Sequence, residues 1–175
     1  YSKFNEQKRL QYFAPGGRKE SHFKSTTPLR LSARPNVAQN ILIMKVLLIE
    51  DTLTLVMLIT DLIEREGHEV IAARDGEEGI RQFLSAAPDL ILLDVLMPKM
   101  DGYEVARRIR ALDTEHWTPI IFLSGMVKDQ DIAKGIDVGG DDYLTKPVSQ
   151  VVLGAKLKAM QRIADMRRRL VQASR

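Results

Sequence analysis

Apolar and polar residues show no sustained period over residues 1–43. Pro15-Gly16-Gly17, Thr26-Thr27-Pro28 and Arg34-Pro35-Asn36 cut that stretch into pieces too short for stable helices. The expectation for 1–43 is a disordered leader or a non-native extension; an organellar transit peptide is the weaker reading. Met44, the first methionine, stands directly before the first regular segment and is the expected natural start. From there the pattern is regular. Lys45-Val46-Leu47-Leu48-Ile49 is an apolar run too short for a helix and suited to a strand buried on both faces. Residues 52–66 place Leu55, Leu58, Ile59, Leu62 and Ile63 at helical spacing, and Gly67 stops them. Further strands are predicted over 70–72, 89–94, 119–124 and 142–145. Further helices are predicted over 76–87, 101–112 and 129–138 and from Val148 onward, with Asp101 as an N-cap and Glu104 as its capping-box acid. Strands alternating with helices in this way predict an α/β fold, a doubly wound five-stranded parallel sheet with five helices on its two faces. The ligand site of such a sheet lies outside the carboxyl ends of its strands.

Charge changes the picture of the ends more than of the middle. The net charge of +3 is the sum of a basic leader, an acidic body and a basic tail. Residues 1–43 carry 8 basic and 2 acidic side chains, residues 44–155 carry 11 and 20, and residues 156–175 carry 7 and 1. An acidic body does not suit a nucleic-acid-binding domain, and no direct DNA binding is expected. The chain has no cysteine, which excludes a disulfide framework, a thiolate metal site and cysteine catalysis. The run Ile41 to Ile49 is interrupted by Lys45 and far too short to cross a bilayer, so no membrane partner is expected.

The strand ends carry the chemistry. Strand one ends in Glu50-Asp51, strand three in Asp94 and strand four in Ser124, and strand five leads into Lys146-Pro147. Each has an ordinary alternative, an N-cap for Asp51 and surface turns for the others. Their joint position on one rim is what points to a site. Clustered carboxylates raise one another's pKa unless a cation sits among them, and a hard ion such as Mg²⁺ takes oxygen ligands. A carboxylate, Mg²⁺, a lysine and a hydroxyl together make a phosphoryl-transfer site.

With these motifs the chain closely resembles the receiver domain of two-component response regulators over about residues 44–158. The resemblance rests on Val46-Leu47-Leu48-Ile49-Glu50-Asp51, Leu92-Leu93-Asp94-Val95-Leu96-Met97-Pro98, Asp101-Gly102, Leu123-Ser124-Gly125 and Asp141-Asp142-Tyr143-Leu144-Thr145-Lys146-Pro147. It implies the flavodoxin-like receiver fold and a cytoplasmic protein. Asp94 is then the phosphoacceptor that takes a phosphoryl group from a histidine kinase or phosphotransfer protein. Mg²⁺ is held by Asp51, Asp94 and the Leu96 backbone carbonyl, with Glu50 acting mainly through water. Lys146 pairs with the phosphoryl group, Ser124 hydrogen-bonds it, Tyr143 is the aromatic switch, and the Lys146-Pro147 bond is cis. The implied role is a self-catalysed phosphoacceptor rather than an enzyme. Glu50 and Ser124 stand where Asp and Thr are commoner, and both keep the chemical group.

A haloacid-dehalogenase-type phosphatase needs a second Asp two residues after its nucleophile, where this chain has Leu96. Neither Gly-rich nucleotide fingerprint occurs. His22, His68 and His116 are expected at the surface, and Trp117 is expected to serve packing. The domain is expected over 44–159, with 160–175 a linker or coiled-coil helix. Leu153, Leu157, Met160, Ile163, Met166 and Leu170 recur at near-heptad spacing, a possible homodimer seam whose end would face water in a monomer. The alternative reading is the receiver part of a longer regulator with a diguanylate cyclase, phosphatase or kinase output.

Overall fold

The computed structural model describes residues 42–125 and 127–174. The expectations for the leader lie outside the described residues, apart from Leu42 and Ile43. The elements in chain order are β1 (Lys45–Ile49), α1 (Leu53–Arg65), β2 (Glu69–Ala73), α2 (Gly76–Ala86), β3 (Leu90–Asp94), α3 (Gly102–Leu112), β4 (Ile120–Ser124), α4 (Asp129–Asp137), β5 (Asp142–Thr145) and α5 (Gln150–Ala173). The strands form one parallel sheet in the order β2-β1-β3-β4-β5.

Successive strand residues point to opposite faces, so each apolar run feeds two cores. Val46 and Leu48 of β1, Leu90 and Leu92 of β3, and Ile121 and Leu123 of β4 meet Val56, Ile59, Leu62 and Ile63 of α1 and Leu153 and Leu157 of α5. Leu47, Ile49, Ile91, Leu93, Ile120 and Phe122 meet Phe83 of α2 and Val105, Ala106 and Ile109 of α3. Burial on both faces is why β1, β3 and β4 read as continuous apolar segments. Asp75, Asp101 and Ser149 cap α2, α3 and α5 by accepting from the backbone N–H three residues on. Every crossover returns the chain to the same rim. Glu50, Asp94, Ser124 and Lys146 therefore converge there.

Several details correct the sequence reading. Leu58 of α1 is exposed, because the stripe that meets the sheet is Val56, Ile59, Leu62 and Ile63. The Glu104 carboxylate does not complete a capping box; it pairs with Arg107 and Arg108 one turn on. Trp117 does serve packing, but at the surface, where it is about half exposed. Its ring lies under Arg110, 4.0 Å from the centroid, and its indole N–H donates to Asp141. The proposed seam on α5 is divided. Leu153 and Leu157 are buried in the chain's own core, with Met160 and Ala164 packed against it, and only Met166 and Leu170 remain well exposed, Ile163 being half-buried. The helix also makes polar contacts beyond Ala159. Gln161 donates to the Leu42 carbonyl, Arg167 to the Trp117 carbonyl, and Arg168 pairs with Asp89. Among the described residues no helix is long and apolar enough to cross a membrane.

His68 also departs from expectation. It is buried at the start of β2, where its Nδ1 accepts the Met44 amide. Burial pushes its pKa below the ordinary 6.5, against the opposing charges of Glu66 and Asp89. Between the folded and unfolded values the unfolded chain binds the extra proton, so stability falls as pH drops below 6.5. The urea midpoint should therefore fall further between pH 7.5 and about pH 5 in the unaltered chain than in His68→Gln. Equal declines in both would remove His68 from this role.

Candidate functional site

Asp94 closes β3 and is 3% exposed, and Glu50, the residue after β1, is fully buried. Asp51 beside it is half-buried. One carboxylate oxygen from each of Glu50, Asp51 and Asp94 lies within 4.8 Å of the others. Ionised carboxylates this close repel one another, and positive charge among them relieves the repulsion. The Lys146 ammonium supplies part of that charge, lying 2.7 Å from Glu50 Oε2 and 2.9 Å from Asp94 Oδ1. Backbone amides add to the orientation of these carboxylates. The Thr52 amide donates to Glu50 Oε1 at 3.0 Å and the Leu96 amide to Asp94 Oδ1 at 3.3 Å. Asp51 does not cap α1; Thr52 holds that position without a side-chain cap, and the Asp51 carbonyl accepts from Arg74.

Burial raises the Asp94 pKa above its ordinary range; the Lys146 hydrogen bond opposes this and the Glu50 charge adds to it. Burial also works against the Lys146 charge. The hydrogen bonds and charges of Asp94 and Glu50 outweigh it and leave the Lys146 pKa raised. The lysine is therefore protonated at neutral pH, as a partner for anionic oxygen.

Ser124 is buried at the end of β4, paired in register with Thr145, and its carbonyl accepts the Lys146 amide at 2.8 Å. The Lys146–Pro147 bond is cis. The Leu96 side chain is 77% exposed and offers no acid to the cluster. Tyr143 is half-buried at β5, with its hydroxyl turned toward α4. The rim thus gathers every residue that the strand-end rule selected. Gly102 was missed as a site residue. It packs so closely on the Asp94 carbonyl that a Cβ there would lie 2.2 Å from the oxygen. The signal was available in Asp101-Gly102, which the sequence supports as a helix start and as part of the family resemblance, but which was not counted among the site residues.

A family model described as the response regulator receiver domain matches residues 46–158. Among curated proteins, the alkaline phosphatase synthesis transcriptional regulatory protein PhoP of Bacillus subtilis is 38% identical over 122 residues, covering 70% of this chain and 50% of the relative. The transcriptional regulatory protein CpxR of Escherichia coli is 40% identical over 118 residues, covering 67% of this chain and 49% of the relative. The chain spans about half the length of these relatives. Among solved structures, the chemotaxis protein CheY4 of Vibrio cholerae aligns with a TM-score of 0.65 at 28% identity, covering 68% of this chain and 99% of that one. A two-component response regulator of Clostridium difficile aligns at 0.64 and 31% identity, covering 68% and 96%.

Proposed function

The chain belongs to the response regulator receiver domain family, and from that premise we propose that Asp94 accepts a phosphoryl group from a histidine kinase or phosphotransfer protein. An Asp94 carboxylate oxygen forms the O–P bond as the N–P bond of the donor phosphohistidine breaks. The observation that carries this reading is the Lys146 ammonium bridging Glu50 and Asp94 within the carboxylate cluster. Lys146 and the Leu96 amide orient the nucleophile, and Ser124 stands on the same rim to bond a phosphoryl oxygen. Three carboxylate oxygens this close suit a hard divalent cation. Glu50, Asp51, Asp94 and the Leu96 carbonyl would hold Mg²⁺, which when bound neutralises charge between the carboxylates and the incoming phosphate. This is a self-phosphorylating acceptor and not an enzyme acting on a second substrate. Intact-mass spectrometry after treatment with acetyl phosphate and Mg²⁺ should show one added phosphoryl group, and none in EDTA.

The donor would dock beside this rim. α1 and α5 begin next to it, and near their starts Leu53, Met57 and Val151 are exposed apolar residues that a phosphohistidine donor could cover. The relatives PhoP and CpxR are transcriptional regulators by name. They favour a transcriptional output for the whole regulator over a cyclase, phosphatase or kinase output, and they lend no support to an absence of DNA binding. A homodimer through α5 would have to use Met166 and Leu170, since the upper part of that stripe is already covered.

The lifetime of the phosphoryl group follows from Leu96. In the family, a polar side chain two residues after the acceptor can orient the hydrolytic water, and Leu96 cannot hydrogen-bond one. The position two residues after Ser124 can act in the same way in the family; here it is Met126, also apolar, which lies outside the described residues. Slow self-dephosphorylation is expected, with Leu96→Asn shortening the lifetime severalfold. Loss of label within seconds from the unaltered, phosphatase-free chain would refute it.

A further inference from the structure

Tyr143 is held by more than its strand. Its ring centroid lies 5.4 Å from that of Phe122, which in turn lies 5.2 Å from that of Tyr103. The Tyr143 hydroxyl donates to the Asp131 carbonyl in α4 and is 3.4 Å from the Tyr103 hydroxyl, itself 3.5 Å from the same carbonyl. Space for this arrangement depends on Gly135, since a Cβ there would lie 1.9 Å from the Tyr143 oxygen. Burial first, and then the Tyr103 hydroxyl, push the Tyr143 pKa up, so the phenol stays a donor at neutral pH.

Tyr103 is also bound to the acceptor loop. It occupies the first turn of α3, directly after Gly102, whose amide donates to the Val95 carbonyl at 2.9 Å and whose α-carbon packs on the Asp94 carbonyl. A chain of contacts therefore runs from the Asp94 backbone through Gly102 and Tyr103 to Tyr143 and the first turn of α4. Nothing in it passes through Ser124.

We propose that Tyr103 is a positioning residue that latches Tyr143 inward beneath Gly135, tying the Asp94 loop directly to α4. The proposal deepens the receiver reading and rests on it only for Asp94 as the input. A buried tyrosine hydroxyl needs a partner, and a carbonyl with two lone pairs can serve both its own helix and a phenol. Removing the Tyr103 oxygen takes away the neighbour that confines Tyr143 to that carbonyl. The ring can then turn outward past the open surface of α4.

The test uses the full chain with ¹³C-labelled tyrosine, its four tyrosines assigned by Phe substitution. Without phosphate, the Tyr143 ring signal should resist broadening by a soluble paramagnetic probe. In Tyr103→Phe the inward-to-outward ratio should shift about fivefold outward, the factor that a hydrogen bond of ~1 kcal/mol supports. Gly135→Ala should leave Tyr143 fully accessible to the probe. Circular dichroism on each variant confirms folding, and if Gly135→Ala does not fold the Tyr103→Phe result decides alone. A Tyr143 signal as protected in folded Tyr103→Phe as in the unaltered chain overturns the latch. Acetyl phosphate labelling run alongside separates the two ideas: absence of label from the unaltered chain sinks the receiver reading, while the phosphate-free ring signals still judge the latch.

Discussion

Asp94→Asn is expected to take up no phosphoryl group from acetyl phosphate and Mg²⁺, under conditions in which the unaltered chain gains one. The amide keeps the shape of the side chain and can still accept the Leu96 N–H, so the loop is preserved. What is lost is the anionic oxygen that must form the O–P bond. Lys146 keeps its pairing with Glu50 at 2.7 Å, so the substitution leaves no buried charge unpaired. Stability supplies the control. Burial raises the Asp94 pKa, with the Lys146 hydrogen bond opposing it, so the folded chain binds this proton more tightly than the unfolded chain. Ionisation of Asp94 therefore costs stability as pH rises from the ordinary value of 3.8 through the folded value. Asp94→Asn removes that cost, and its urea midpoint at pH 7 should equal or exceed that of the unaltered chain. A variant that folds and still gains the phosphoryl mass would show that another residue is the acceptor.

Leu157→Ala should destabilise the chain by about 2–4 kcal/mol, the range for removing a fully buried leucine from a packed core. Helix propensity does not offset or inflate this, because Ala and Leu are both good helix formers. Met166→Ala and Leu170→Ala, at 59% and 70% exposure on the same helix, should change stability by no more than ~0.5 kcal/mol. Urea denaturation of the single variants measures the contrast. Light scattering on the same samples addresses the dimer. If α5 were chiefly an intermolecular seam, Met166 and Leu170 would matter as much as Leu157, and their loss would lower the oligomeric state. A small effect of Leu157→Ala would overturn the assignment of that residue to the core.

The strands were legible because each central run is apolar at every position and too short for a helix. Residues 142–145 were read as β5 at the bounds the structure shows, and the β1, β3 and β4 cores matched within a residue at either end. The rim was legible too, because a doubly wound sheet puts Glu50, Asp94, Ser124 and Lys146 at equivalent strand ends whatever their neighbours are. The helices were less so. Periodicity says which residues share a face but not what covers that face. Leu58 and the α5 stripe were thus assigned by spacing and reassigned by contact.

The sequence by itself determined the alternation of strands and helices, the residues that stand at the strand ends and the family, since each depends on order along the chain. Only the tertiary structure decided the contacts between residues far apart in that order. Lys146 reaches Glu50 across 96 positions, and the Tyr103 and Tyr143 hydroxyls meet across 40. His68 is buried where its ring nitrogen accepts the Met44 amide from 24 residues earlier. Local pattern records hydrophobicity and propensity, which act between chain neighbours. Side-chain hydrogen bonds, close approach at Gly102 and Gly135, and pKa shifts arise from neighbours in space, which exist only once the strands have paired.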